Sequence, residues 1–102
     1  MKLEQIQEEI WENKLRKGFN TTNVEKEFCC LYGEVGEAYE AYRKKKDDLG
    51  EELADIAIYL LALSKMLGIS LKDEIEKKIE INKNRTYKRD ENGVLTRIDK
   101  KD

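Results

Sequence analysis

Glu34 and Glu37, then Glu52 and Asp55, form two acidic pairs with the same three-residue spacing. Residues three apart share one face of a helix, so each pair sends two carboxylates in the same direction. If the two helices pack together, four carboxylates converge and repel one another. Taking an unpaired ion out of water costs several kcal/mol (roughly, per ion). A hard divalent cation with oxygen ligands, Mg²⁺ above all, is the simplest stabiliser of such a cluster. The second pair sharpens the case because it opens an apolar run, Ile56 to Leu63, where a carboxylate is otherwise unwelcome. Glu52, Asp55 and Tyr59 form a line beside the Leu53, Ile56, Leu60 line, and Glu34 falls between Leu31 and Ala38 near its own helix's apolar stripe. In so acidic a chain a Glu-x-x-Glu carries little by itself. Glu37/Glu40, Glu76/Glu80 and Glu8/Glu12 therefore read as solvated faces. The competing reading of the cluster is a set of partly buried salt bridges to lysines.

A second row bears on what a metal would serve. Lys78, Asn82 and Arg85 are spaced by four and three, again on one helix face. Arginine grips phosphate oxygens with two donors and lysine supplies a point charge, so the row suits a polyphosphate. Alone, it reads as an exposed basic stripe. The chain has no histidine, which removes serine–histidine and cysteine–histidine nucleophilic sites and the Glu-x-x-His di-iron bundle site. Cys29 and Cys30 are adjacent, so they bridge each other only with strain, and without histidine they make a poor zinc set. They read as reduced, buried or half-buried thiols, which suits a reducing cytoplasm. A formal net charge of −2 gives no general affinity for nucleic acid, and the late lysines are interleaved with Asp and Glu. Charged Lys2 and Glu4 do not suit a signal peptide, and no apolar run approaches membrane-spanning length. The expectation is a soluble, cytoplasmic protein with neither membrane nor nucleic acid as a partner.

These residues need elements to position them. The 102 residues, 41% charged and without proline, suit one domain of long helices with a modest core. A first helix, about 2–17, turns Leu3, Ile6, Ile10 and either Lys14 or Leu15 inward, with Trp11 beside them, and ends at Gly18. Thr22-Asn23-Val24-Glu25 has capping-box spacing and starts a second helix that runs to about Lys45. Its core stripe reads Phe28, Leu31, Val35, Ala38 or Tyr39, and Tyr42. Gly33 and Gly36 weaken it by ~1 kcal/mol each relative to alanine, a cost that close approach of a helix or ligand would explain. Lys44 to Asp48 is a charged turn whose aspartate caps the next helix. That third helix, about 49–67, has Leu49, Leu53, Ile56, Leu60, Leu63 and Leu67 on one face, and Ile58, Leu61, Ala62 and Met66 on the others. A helix apolar nearly all round must be surrounded, which one protomer of this size does poorly, so a homo-oligomer, at least a dimer, is expected. Gly68 ends it, and Ser70-Leu71-Lys72-Asp73 starts a fourth helix to about Arg85, with Leu71, Ile75, Ile79 and Asn82 inside. Asn92-Gly93 marks a hairpin turn before a short strand at Val94-Leu95-Thr96; a flexible tail is the alternative. The division is a helical domain over 1–87 and a tail over 88–102.

The run Leu31-Tyr32-Gly33-Glu34-Val35-Gly36-Glu37-Ala38, followed by Glu51-Glu52-Leu53-Ala54-Asp55-Ile56, resembles the Glu-x-x-Glu…Glu-x-x-Asp signature of MazG-like all-α nucleoside triphosphate pyrophosphohydrolases. The 14 residues between Glu37 and Glu52 are a spacing similar to that of the family. Tyr59-Leu60-Leu61-Ala62-Leu63, Leu67-Gly68-Ile69-Ser70-Leu71 and Lys78-x-x-x-Asn82-x-x-Arg85 resemble it too, so the likeness spans about residues 8–87. It implies an all-α four-helix bundle, assembled as a homodimer or a dimer of dimers, that cleaves (d)NTP to (d)NMP and pyrophosphate. It implies Mg²⁺, with Mn²⁺ substituting, held by Glu34, Glu37, Glu52 and Asp55, and Glu34 or Glu37 as the residue that takes a proton from water. Lys78, Asn82 and Arg85 are implied phosphate contacts. Tyr59 lines the nucleotide pocket by the same resemblance, with Trp11, Lys14 and Phe19 on the base and sugar side. The rival expectation is a non-catalytic helical interaction module of the same fold.

Overall fold

Four helices, α1 (Leu3–Lys17), α2 (Val24–Arg43), α3 (Leu49–Met66) and α4 (Leu71–Lys83), precede a two-stranded ribbon of β1 (Tyr87–Arg89) and β2 (Leu95–Arg97). They are seen in a computed structural model, which describes residues 1–99. Two units can be separated, one spanning Met1–Leu71 and the other beginning at Lys72. Among the described residues no single helix is long and apolar enough to cross a membrane.

In the first unit, short polar residues set the helix ends. Gly18 closes α1 at φ +72°, a left-handed position that suits glycine. Asn20 then organises the turn: its Oδ1 accepts the Asn23 N–H at 3.0 Å, and its Nδ2 donates to the Asn23 carbonyl at 2.8 Å. The cap of α2 is Asn23, whose Oδ1 accepts the Lys26 N–H at 3.0 Å. The expected Thr22 box does not form, because Asn23 offers an equally good acceptor one residue nearer the helix. Asp48 stands before α3 as expected, yet its side chain makes no capping hydrogen bond.

α3 packs against α2 and, less extensively, against α1. The buried apolar residues are Ala38, Ala41, Leu61, Ala62 and Leu63. This corrects the expected stripes. Phe28, Val35, Tyr39 and Tyr42 of α2 are exposed, as are Leu53 and Leu60 of α3 and Leu67 just past its end. The inward line of α2 is Glu27, Leu31, Glu34, Ala38 and Ala41; that of α3 runs through Glu52, Asp55, Ile56, Tyr59 and Ala62. Both seams keep helical spacing but sit one residue off the most hydrophobic stripe. Alanines at the contact let the two helices approach closely, since separation is set by the side chains between them.

α1 is joined to the others by polar links. Lys14, not Leu15, turns inward, and its Nζ lies 2.8 Å from Glu27 Oε1 with both side chains buried. Gln7 Nε2 donates to the Leu61 carbonyl at 3.0 Å.

In the second unit no residue of α4 is buried; Ile75 and Ile79, expected inside, are exposed. The helix stops at Lys83, so Arg85 lies beyond it. β1 and β2 pair antiparallel, Tyr87 with Arg97 and Arg89 with Leu95. Gly93, at φ +78°, forms the turn. Asp99 accepts the Thr86 N–H at 2.8 Å and sits against Arg97, whose hydrogen-bonding guanidinium holds its carboxyl down to about 2.

A buried ion pair costs most when only one partner is removed. Lys14→Met should therefore destabilise the protein by about 3–5 kcal/mol in urea unfolding, and adding Glu27→Leu should restore most of that loss. A loss below about 1 kcal/mol for the single variant would contradict the burial of this pair.

Candidate metal centre

The α2–α3 seam carries the acidic pairs with it. One carboxylate oxygen from each of Glu34, Glu37 and Glu52 lies within 4.8 Å of the other two. Glu34 and Glu52 are half-buried, and Glu37 is exposed at the rim. Asp55 stands outside this triplet, yet its charge acts on both Glu34 and Glu52. Burial pushes the Glu34 carboxyl up from its ordinary value, and Glu37, Asp55 and Glu52 push it further. Burial also raises Glu52, followed by the charges of Glu37, Asp48 and Asp55. Glu37 thus acts on both.

The cluster has no internal remedy for this repulsion. Glu34 Oε2 and Glu52 Oε2 are shielded from solvent and have no hydrogen-bond partner. Among the described residues, the helix-surface ion pairs fall on Glu8, Glu40, Glu74, Glu76 and Glu80 and not on the cluster. An all-oxygen, acceptor-only set fits a hard divalent cation. Around such an ion, with bonds of about 2.1 Å, ligand oxygens stand roughly 3 Å apart when adjacent and about 4.2 Å when opposite. The triplet needs little rearrangement to meet those spacings.

Two hollows open on the first unit. One, of about 600 Å³, is bordered by Gly33, Gly36, Glu37, Lys46 and Glu52. A side chain built at Gly33 or Gly36 would meet nothing within 4 Å, so the expected close approach of another helix does not occur there within the chain. The other, of about 710 Å³, brings together Lys14, Phe19 and Tyr59, all anticipated from sequence, with Asn20, Glu27 and Cys30, which were not. Tyr59 joins this cavity to the cluster. Its hydroxyl is pushed up by burial first, then by Cys30, Glu34, Glu27 and Asp55. Lys14 Nζ is 5.9 Å from the centre of its ring. Trp11 is half-buried on α1 and outside this lining.

Lys78 and Asn82 are exposed on α4, whereas Arg85, two residues past its end, is half-buried with its Nε shielded and without a partner. Asp48, read from sequence only as part of a capping turn, was not expected at the site: its Oδ1 is shielded and unpartnered among the described residues, and its charge acts on Glu52. Its signal was available, since it lies one turn before Glu52. Glu27, too, could have been found, as it stands two turns before Glu34 on one face.

The chain is similar in sequence to the MazG-like family, whose model matches residues 2–98. Among solved structures it resembles the MazG-like pyrophosphohydrolase of cyanophage S-2L, bound to dGDP and three catalytic Mn²⁺ ions per active site. The two share 25% identity and a TM-score of 0.71, over 97% of this chain and 99% of that one. No curated protein matches the sequence.

The raised carboxyls give the metal-free protein a defined pH response. Glu34 and Glu52 hold protons in the folded state that the unfolded chain releases near 4.5. Their contribution to stability is thus present at and below that pH and is lost as pH rises through their raised values. A divalent cation replaces the protons and must compete with them. Mn²⁺ or Mg²⁺ should raise Tm at pH 7.5 by more than about 5 °C, with the increment shrinking steadily toward pH 4.5. Equal increments at both pH values would contradict a carboxylate site.

Proposed function

The chain belongs to the MazG-like family, and from that premise we propose that it is a Mg²⁺-dependent nucleoside triphosphate pyrophosphohydrolase, with Mn²⁺ able to substitute. It converts (d)NTP and water to (d)NMP and pyrophosphate, in cytoplasmic house-cleaning of nucleotide pools. The observation that carries this reading is the pair of shielded oxygens on Glu34 and Glu52, unpartnered among the described residues, within a cluster that no ion pair among those residues neutralises. The nucleotide and the metal ions bound by the phage protein support it.

In this reading Glu34, Glu37, Glu52 and Asp55 hold the cation. When bound, a divalent cation neutralises phosphate charge and makes a water molecule acidic enough to attack. A carboxylate must accept the water's proton, and Glu34 and Glu37 are the two candidates. Glu34 is the more buried of the two. Glu37 has the readier access from solvent. Lys78, Asn82 and Arg85 are assigned to the phosphates, where the Arg85 guanidinium supplies two parallel donors. Tyr59, Lys14 and Phe19 line the nucleoside cavity, and Trp11 lies on the same helix as Lys14.

The protein is proposed to act as a homodimer or a dimer of dimers, the assembly in which the expected four-helix bundle is completed. No large side chain is fully buried among the described residues. Phe28, Tyr32, Val35, Tyr39 and Tyr42 form an exposed apolar stripe along α2, with Leu53 and Leu60 on α3 and Leu67 at its C-cap. Exposed stripes of this kind, at coiled-coil spacing, are covered by a second copy in helical oligomers.

With Mg²⁺ and a panel of (d)NTPs, pyrophosphate should be released in equal amount to the nucleoside monophosphate. Glu37→Gln and Asp55→Asn should each lower kcat/KM by about a hundredfold or more. Unchanged activity in both would remove the site assignment. An absence of nucleotide binding, with a Tm insensitive to EDTA, would leave the non-catalytic interaction module. In sedimentation, the wild-type protein should exceed its 12.0 kDa monomer mass at least twofold, and Tyr32→Glu with Leu60→Glu should dissociate it. A monomeric wild type would contradict the assembly.

A further inference from the structure

Glu27 is the most deeply buried charged residue of the described chain, 2% exposed, and only half of its carboxylate is used. Lys14 Nζ, at 2.8 Å, and Asn20 Nδ2, at 3.2 Å, both donate to Oε1. Oε2 is shielded from solvent and has no donor. A buried ion pair made only for structure gains from satisfying its remaining lone pairs, so an idle oxygen beside two engaged donors asks for a further partner.

The surroundings say what kind of partner. Glu27 lies in the wall of the cavity of about 710 Å³, a volume suited to a small-molecule ligand. Ile6, Ile10, Ile58 and Phe19 supply apolar wall, and Tyr59 an aromatic face. Such walls receive a flat heterocycle better than a sugar, whose hydroxyls would lose water without replacement. A carboxylate accepts hydrogen bonds and, facing a carbonyl edge, repels it. Lys14 stands beside it with ammonium donors left over after its bond to Glu27. An acceptor next to a donor matches an amino group next to a ring nitrogen, an arrangement found in adenine, cytosine and guanine.

We propose that Glu27 is a specificity-determining residue that accepts a hydrogen bond from the exocyclic amino group of the nucleobase. Bases with that group are preferred over counterparts with a carbonyl or hydrogen in its place. The inference rests on the nucleotide reading of the site given above. It adds that this enzyme selects its substrate through a residue outside the metal cluster.

The test compares nucleotides that differ at the amino position: cytosine with uracil, guanine with hypoxanthine, and adenine with hypoxanthine. Each pair is measured twice, as deoxynucleoside triphosphate turnover with Mg²⁺ and as deoxynucleoside monophosphate binding by calorimetry. In the pair containing the best substrate, wild type should favour the amino member by about tenfold or more, because a site built to hydrogen-bond a group rejects the analogue lacking it. Glu27→Gln should bring that ratio within about threefold, in turnover through KM and equally in binding. Ratios are independent of the fraction of folded protein. Should Glu27→Gln fold poorly, the variant Lys14→Gln/Glu27→Gln removes both charges together and must show the same loss. An unchanged ratio, a wild-type preference for the carbonyl member, or a change confined to ribose-against-deoxyribose discrimination overturns the proposal. Binding ratios that behave as expected without any turnover would uphold Glu27 and overturn the hydrolase reading instead.

Discussion

Four carboxylates are carried on or beside the packing seam of two helices, and that repulsion constrains the rest of the first unit. The seam is narrow because alanines occupy it, at Ala38 and Ala41 on α2 and Ala62 on α3. Their small size draws the helices together and delivers Glu34, Glu37 and Glu52 to one place. Hydrophobic burial, acting without selectivity, would have placed the larger tyrosines and leucines there. The fold instead leaves those residues outside and places anions where two shielded oxygens lack donors. Such an arrangement gives up stability at the site and regains it when a cation, and on our proposal a second copy of the chain, is present.

The same economy of charge explains how the nucleoside cavity relates to the metal centre. Tyr59 feels Glu34 and Asp55 of the cluster as well as Cys30 and Glu27 of the cavity wall. The Lys14–Glu27 pair, which ties α1 to α2, thus has Tyr59 as a neighbour in common with the cluster. On our proposal structural and recognition roles coincide in a single buried ion pair, in which Oε1 is engaged by Lys14 and Oε2 has no partner among the described residues.

Much of this was legible from residue types and spacing. The acidic pairs, the helix count, and the stops at Gly18 and Gly68 follow from rules local to a few residues. The phase of the seams does not. The expected stripe of Phe28, Leu31, Val35, Ala38 or Tyr39, and Tyr42 is more apolar than Glu27, Leu31, Glu34, Ala38 and Ala41, yet only Leu31 and Ala38 of it face inward. Periodicity gave the correct spacing, but hydrophobicity chose the wrong line by one residue, because it ranks residues by size and polarity and not by what lies opposite. Glu27 and Asp48 were missed for a related reason: their helical spacing to Glu34 and Glu52 was there to read, but among 22 acidic residues such spacing does not stand out until burial is known. Arg85 was placed on a helix because its spacing allowed it, whereas α4 ends two residues earlier.

Central to our proposal is that Glu34, Glu37 and Glu52 lie together to bind a divalent cation and not to pair with lysines. Anomalous diffraction from crystals of the protein grown with Mn²⁺ addresses that most directly. The expected result is an anomalous peak within about 2–2.5 Å of a carboxylate oxygen from each of the three. Carboxylates bonded to lysine ammonium groups, with manganese bound elsewhere or not at all, would contradict it.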